Sequence, residues 1–177
     1  MYSKEEIIAK ANDRDFILDA VKKEPWVYEF ASDKLHDDEE ITLEAVKNDG
    51  IELEFASDRL KDNKEIVFEA VKKAGWVACY ASEKLLNDKD ILLAGVKVDG
   101  QILYYAGETL RDDKEVVLEA VKNKGIILKY ASRRLREDKE VAIAAITQNK
   151  DAYAYVYDTI KQDEDIQNII KPKEENA

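Results

Sequence analysis

Two side chains that often carry nucleophilic or metal chemistry occur once each in the chain, His36 and Cys79. A Cys-His nucleophile pair needs its two members in contact, and a metal site needs further ligands beside them. The two residues lie in different positions of a sequence repeat, nearly two repeats apart. We therefore expect no catalytic residues, no bound metal and no cofactor, and Cys79 is expected to be an ordinary helix residue.

The acidic run at residues 37–40 could in principle hold calcium. It lacks the alternating ligands and the turn glycine of an EF-hand loop. Asp38 is instead expected to cap a helix N-terminus, where the helix dipole favours negative charge.

The elements that position these residues follow from a period of 25 residues. Ala20-Val21-Lys22 returns in phase with small variations, as do the leucines of a second column: Leu35, Leu60, Leu85, Leu110 and Leu135. A fixed period of this size is typical of a solenoid, in which each unit buries its apolar face against its neighbours. The sequence therefore predicts an all-α fold: an α-solenoid of tandem 25-residue two-helix repeats, wound as a right-handed superhelix.

Each repeat carries start and stop signals for its first helix. One column holds good N-cap residues throughout: Asp13, Asp38, Asn63, Asp88, Asp113, Asp138 and Asp163. Gly50, Gly75, Gly100 and Gly125 follow the first helix and suit a left-handed C′ position. A second helix of about ten residues is expected to run from there to the repeated leucine.

These signals divide the chain into one α-solenoid domain over residues 1–171. It comprises an N-terminal cap helix at 3–10, repeats that start at 13, 38, 63, 88, 113 and 138, and a C-terminal cap helix at 163–171. The polar residues 172–177 are expected to form a disordered tail.

The fifth repeat reads Asp-Lys-Glu-Val-Val-Leu-Glu-Ala-Val-Lys-Asn-x-Gly, then x-x-Leu-x-Tyr-Ala-Ser-x-x-Leu-x-x-Asp. This pattern resembles the helical repeats of the domain of unknown function 4116 (DUF4116), over roughly residues 13 to 162. It is similar, more distantly, to variant leucine-rich repeats, which share a short two-helix unit and a right-handed superhelix. The resemblance implies an architecture; it supplies no activity and no functional residues.

Composition limits the partners. The net charge of −11 argues against nucleic acid, because phosphate binding needs a basic surface. No apolar run is long enough to indicate a membrane span, and a single cysteine fits a reducing, cytoplasmic setting. We expect a protein or peptide partner, and a monomer in preference to a homo-oligomer.

Candidate binding residues come from columns whose chemistry changes between repeats, because a scaffold keeps its core constant and varies what faces a ligand. Exposed aromatic side chains there are natural anchors for a partner, and residues 121–150 add 8 bases against 3 acids. The candidates are Trp26, Trp76, Tyr104, Lys129, Arg133, Arg134 and Arg136. The aromatic candidates require that these rings are not buried against the next repeat.

Three functions follow from these observations. The first is a non-catalytic scaffold that mediates protein-protein or protein-peptide interaction, by analogy with other helical solenoids. The second is a self-assembling structural element, because residues 1–60 carry 17 acids and 8 bases and could meet the basic region head to tail. The third is an enzyme or small-ligand-binding protein whose site the sequence does not reveal.

Overall fold

The computed structural model describes residues 2–171, and every regular element among them is helical. In chain order the α-helices are α1 (Lys4–Ala9), α2 (Arg14–Lys23), α3 (Asp33–His36), α4 (Glu39–Asn48), α5 (Asp58–Lys61), α6 (Lys64–Lys73), α7 (Glu83–Leu86), α8 (Lys89–Val98), α9 (Glu108–Arg111), α10 (Lys114–Asn123), α11 (Arg133–Arg136), α12 (Lys139–Gln148), α13 (Asp158–Lys161) and α14 (Glu164–Ile170). The 3-10 helices are η1 (Pro25–Phe30), η2 (Gly50–Phe55), η3 (Gly75–Tyr80), η4 (Gly100–Tyr105), η5 (Gly125–Tyr130) and η6 (Lys150–Tyr155). The predicted all-α fold of tandem repeats is confirmed.

The long helix of each repeat begins where the sequence predicts. Asp38, for example, accepts hydrogen bonds at Oδ1 from the backbone N–H groups of Glu40 (3.1 Å) and Ile41 (3.2 Å). Every other member of the predicted N-cap column makes an equivalent bond. The acidic run at 37–40 is therefore a helix start, as expected.

The second half of each repeat differs from the predicted ten-residue helix, because it is a six-residue 3-10 helix followed by a single α-turn. In the fifth repeat the break falls at Ala131 and Ser132, whose backbones are extended (ψ 155° and 158°). Ser132 Oγ then accepts a hydrogen bond from the Leu135 N–H (3.3 Å) and caps α11. The Ala-Ser pair that punctuates most repeats is thus a helix break and a new N-cap.

The prediction that these glycines adopt a left-handed conformation is wrong, because no described glycine has a positive φ. What requires glycine is close approach to the next long helix. A Cβ on Gly125 would overlap the carbonyl oxygen of Ala145, and one on Gly50 would overlap that of Ala70. The Gly125 N–H also donates to Gln148 Oε1 (2.6 Å), which fixes the two segments together.

The chain forms two compact units, Met1–Val98 and Asp99–Ala177, which are described separately. In the first, α2, α4, α6 and α8 contact one another in chain order, and η1, η2 and η3 form a second row against them. In the second, α10, α12 and α14 form one row and η4, η5 and η6 contact that row. The aliphatic columns of the repeat are buried between the two rows, as for Ala45, Val46 and Leu53.

Within each unit, a main-chain hydrogen bond links consecutive repeats at the same position of the repeat. The N–H of Ser57 donates to the His36 carbonyl (2.9 Å), and that of Ser82 donates to the Lys61 carbonyl (3.0 Å). In the second unit the N–H of Ser132 donates to the Arg111 carbonyl (2.9 Å). Tyr157, which replaces the serine, keeps the bond with the Arg136 carbonyl (3.2 Å). We call this bond the inter-repeat rung.

Ion pairs add a second link between repeats. Lys64 at the start of α6 reaches Asp88 (2.8 Å) and Asp90 (2.7 Å) at the start of α8. Arg14, Lys114 and Lys139 make the same contact with the following repeat. The second repeat has Glu39 where these cations stand, and the cap that follows is the uncharged Asn63, which avoids placing two carboxylates together.

Three predictions remain open. The single domain at 1–171 and the right-handed superhelix stay predictions, and the predicted tail at 172–177 lies outside the described residues. The cap helices are observed at Lys4–Ala9 and Glu164–Ile170, within the predicted ranges.

Candidate functional site

Both predicted tryptophans are exposed at the surface of the first unit. Trp26 in η1 is 39% exposed and meets Phe30 edge-on, with ring centroids 6.0 Å apart. Trp76 in η3 is 42% exposed and meets Tyr80 in the same way at 5.9 Å. In each pair the edge-to-face contact with the inner ring steadies the outer, exposed ring. The condition that these rings are not buried is therefore met.

Tyr104, the third aromatic candidate, is 49% exposed and belongs to a cluster of three tyrosines in the second unit. Its ring centroid is 5.0 Å from that of Tyr105, which is 45% exposed, and 5.0 Å from that of Tyr130 on the next repeat. Lys129 Nζ lies 4.8 Å from the Tyr130 ring centroid. We call Tyr104, Tyr105, Lys129 and Tyr130 the tyrosine surface.

A depression of ≈ 510 Å³ adjoins this surface, and its walls include Lys129, Tyr130, Arg111 and Asp112. Arg111 is held in place because a terminal N–H of its guanidinium donates to the Tyr104 carbonyl (2.6 Å). Its Nε is buried and makes no hydrogen bond. Aromatic rings at the mouth of a polar depression form a surface that can take both an apolar and a charged group.

The predicted arginines are bonded to other residues of the second unit. Arg133 pairs with Glu137 (2.8 Å) and lies over the Tyr157 ring (4.8 Å). Arg136 lies over the same ring (5.0 Å) and donates from Nε to the Tyr155 carbonyl (2.8 Å). Both guanidinium groups thus have intramolecular partners.

Arg134 takes part in the packing of one repeat on the next. Its Nε donates to Asp112 Oδ1 (3.0 Å) and a terminal N–H donates to the Asp112 carbonyl (2.5 Å). Ser132 and Arg134 together hold the pKa of the Asp112 carboxyl below its ordinary value, the serine hydroxyl having the larger effect. Arg59 and Lys84 make the corresponding contacts in the first unit.

His36 belongs to a buried polar cluster. Its Nε2 lies 2.8 Å from the Tyr28 carbonyl oxygen, and its ring packs between Tyr28 (4.9 Å) and Phe55 (6.4 Å). The Tyr28 hydroxyl reaches the His36 carbonyl (3.1 Å) and Thr42 Oγ1 (2.6 Å). Every polar atom named here is engaged within the fold, so His36 has a structural role.

Glu52 is a buried carboxyl group that the sequence analysis did not identify. It is only 3% exposed, its Oε2 makes no hydrogen bond, and burial raises its pKa to about 8 with help from Asp49. The other repeats place an aliphatic residue in its column: Val27, Val77, Ile102, Ile127 and Ala152. Comparing the columns of the repeat would have found it.

Cys79 lies on η3 as an exposed free thiol. Partial burial of the sulfur raises its pKa, which favours the protonated form over the reactive thiolate. Among residues 2–171, no three His, Cys, Asp or Glu side chains are arranged to hold a metal ion. None of the helices in that range combines the length and apolar character needed to cross a membrane.

Comparison with known proteins identifies a family. The sequence model described as "Domain of unknown function (DUF4116)" matches residues 13–61, 38–83, 63–111 and 113–166. The successive matches advance by whole repeats, in register with the observed helices. No curated protein and no solved structure matches the chain.

Proposed function

We propose, from the premise that this chain belongs to the DUF4116 family, that it is a non-catalytic repeat scaffold in the cytoplasm that binds a protein or peptide. The tyrosine surface is the observation that carries this proposal. Large amphipathic rings with few rotatable bonds lose little entropy on binding, and tyrosine is enriched in the residues that dominate interface energy.

The chemistry of the surface defines the preferred ligand. Tyr104, Tyr105 and Tyr130 offer ring faces to an apolar or aromatic side chain. Lys129 and Arg111 add positive charge at the wall of the adjoining depression, which Glu108 and Asp112 also line. The Asp112 carboxylate is already paired with Arg134. We therefore propose a peptide that presents an apolar residue next to an acidic one.

The non-catalytic part of the proposal is supported by how the reactive groups are used. The His36 ring contacts a backbone carbonyl and two aromatic rings, and the thiol of Cys79 is held toward its protonated form. Among residues 2–171, neither group hydrogen-bonds to the side chain of a nucleophile or a general base.

The test is selection of binding peptides from a random display library against the full chain. We expect enriched peptides to contain an apolar residue beside Asp or Glu. Tyr104→Ala should weaken a selected peptide at least about thirtyfold, as expected for an interface anchor. Lys129→Glu should weaken it through charge repulsion, and isothermal titration calorimetry measures both effects.

Ile8→Ala is the matched control, because Ile8 is 55% exposed and apolar but lies on α1. The Ile8→Ala variant should bind a selected peptide as tightly as the unmodified chain does. Thermal melts should show that all variants are folded. Selected peptides that bind Tyr104→Ala and Lys129→Glu as tightly as the control would contradict the proposal, as would a failure to enrich any peptide.

A further inference from the structure

A column of large apolar side chains lies on the long helices but outside the core. Leu18, Leu43, Phe68 and Leu93 each occupy the fifth position of a long helix in the first unit, and each is half-buried. The neighbouring core residues, such as Ile17 and Val67, are fully buried. We call these four residues the apolar stripe.

Part of the stripe lines a groove. Between α6 and α8 lies a space of ≈ 550 Å³ whose floor includes Phe68, Leu93 and Ala94. Ala94 stands where the first three repeats have an acid, Asp19, Glu44 or Glu69. The short side chain of Ala94 leaves the Phe68 ring accessible at the floor of this groove.

Charges of opposite sign flank the stripe on the same helix face. Three residues before each stripe position stands an exposed acid: Asp15, Glu40, Glu65 and Asp90. Glu40 and Asp90 also pair with Arg14 and Lys64 of the preceding repeat. Four residues after each stands an exposed lysine: Lys22, Lys47, Lys72 and Lys97. Residues three and four apart share one side of an α-helix. With a rise of about 1.5 Å per residue, the acids lie about 4.5 Å to one side of the stripe and the lysines about 6 Å to the other.

This arrangement is complementary to itself. A two-fold axis that runs along the stripe sets apolar side chains against their own copies and turns the helices antiparallel. Each acid then faces a lysine of the other molecule, and the helix dipoles also oppose one another favourably. The parallel alternative sets acid against acid and lysine against lysine, which is repulsive.

We propose that the apolar stripe and its flanking charges form an isologous interface with a second copy of this chain. The occupant that fits the surface must have an apolar residue at mid-helix, an acid three residues before it and a lysine four residues after it. Each long helix of the first unit has this pattern. The resulting dimer is closed, because a two-fold interface leaves no free copy of itself.

Glu65 and Lys72 on α6 provide the sharpest test, because they flank Phe68. Glu65 makes no ion pair among the described residues, and Lys72 contacts two residues of its own helix, the Glu69 carboxylate (3.0 Å) and the Phe68 ring (5.4 Å to the centroid). Glu65→Lys places two lysines together twice in each dimer, and Lys72→Glu places two glutamates together twice. Each variant alone should dimerise about tenfold more weakly or worse, measured by sedimentation equilibrium from micromolar to near-millimolar concentration.

Mixing the two variants should restore the dimer, because every reversed residue then faces an opposite charge on the other molecule. The double variant with both changes should likewise dimerise as the unmodified chain does. Neither recovery is expected if the substitutions merely damage the fold, and circular dichroism melts check folding directly. Glu83→Lys on α7 makes the same change of charge outside the interface and should have no effect.

Several outcomes would overturn the inference. An unmodified chain that stays monomeric at the highest concentration removes it. So does a mixture that fails to recover when each variant is folded. Growth beyond a dimer would indicate open head-to-tail association through the charged ends and would also contradict it.

Discussion

Glu52 places a carboxyl group where five other repeats place an aliphatic side chain. The first and second repeats hold two further polar residues in core columns, Tyr28 and Thr42. Their hydroxyl groups form a hydrogen bond with each other, with the two oxygens 2.6 Å apart. Glu52 Oε2 has no such partner. Because burial without a hydrogen bond costs free energy, this residue destabilises the first unit.

Glu52→Val should therefore raise the free energy of unfolding, by about 1–3 kcal/mol at pH 7. Valine is the residue that the column already holds in the first and third repeats, so its shape suits the site. Urea denaturation followed by circular dichroism measures the change. Glu83→Val, at an exposed position whose charge does not act on Glu52, is the control and should change stability by less than about 0.5 kcal/mol.

The pH dependence of stability in the unmodified chain and in Glu52→Val shows whether the buried carboxyl is the cause of the difference between them. The folded pKa of Glu52 is about 8 against an ordinary 4.5, so between these values the folded state holds a proton that the unfolded state has lost. The unfolding free energy of the unmodified chain should fall through this window as pH rises, by at most about 1.4 kcal/mol per unit. An advantage of Glu52→Val that is the same at pH 5 and pH 8 would refute this explanation.

Sequence reasoning at this scale succeeded where the cause is local. Asp38 and its equivalents cap helices through atoms two and three residues away, so type and spacing suffice. Arg134 was assigned to a partner surface because its bond to Asp112 connects residues 22 apart, in different repeats. The exposure of Trp26, Trp76 and Tyr104 likewise depends on how the repeats stack. From the sequence we could state only that these rings must not be buried against the next repeat.

The break between each 3-10 helix and the following α-turn is the main departure at the level of elements. A serine after alanine offers the backbone an N-cap, and the next residue is usually Asp, Glu or Arg. The signal was present at Ser57, Ser82 and Ser132, and the helical spacing of the apolar residues concealed it. Periodicity alone does not distinguish one helix from two short ones that share a buried side.

Gly125→Ala should destabilise the second unit by about 1–3 kcal/mol, because the added Cβ meets a rigid backbone carbonyl of α12. Lys150→Ala is the control at the equivalent position of the sixth repeat, where the native residue already has a Cβ, and it should be nearly neutral. Differential scanning calorimetry measures both. An equal shift for the two variants would mean that close approach is not what requires glycine.

The glycine column shows why the elements were only partly predictable. Its position after a helix is local and was correctly taken as a stop. Its purpose depends on Ala145, 20 residues further along the chain, and on a distance between neighbouring helices. A left-handed helix cap and a close contact between helices both require glycine at this position, so the sequence alone does not distinguish them.

At the scale of the whole chain, the period itself determines what can be removed. Deleting residues 63–87 takes out one complete repeat and leaves Asp88 to cap the next long helix directly after Asp62. We expect a folded, helical protein that unfolds cooperatively, because each core column continues with an equivalent residue. Circular dichroism and thermal melts measure this, and loss of helicity would contradict it.

Two companion variants make the result specific. Deleting residues 63–82 instead stops short of the period, misaligns the core columns and should abolish folding. Glu39→Lys removes the ion pair between Glu39 and Arg59 in either background (2.7 Å). In the full-repeat deletion the new lysine also faces Asp88 and Asp90, so the melting temperature should be affected more favourably there. In the intact chain the same change faces Asn63 and Glu65 and should contribute less.

The inter-repeat rung has a consequence for how such a chain can change over generations. Its donor and acceptor are peptide groups, so the bond at Tyr157 survives although the serine is gone. A change of copy number by unequal crossing-over therefore leaves this backbone bond possible at each new joint, whichever side chain stands at the donor position. The number of repeats and the side chains at the surface can therefore change independently during evolution.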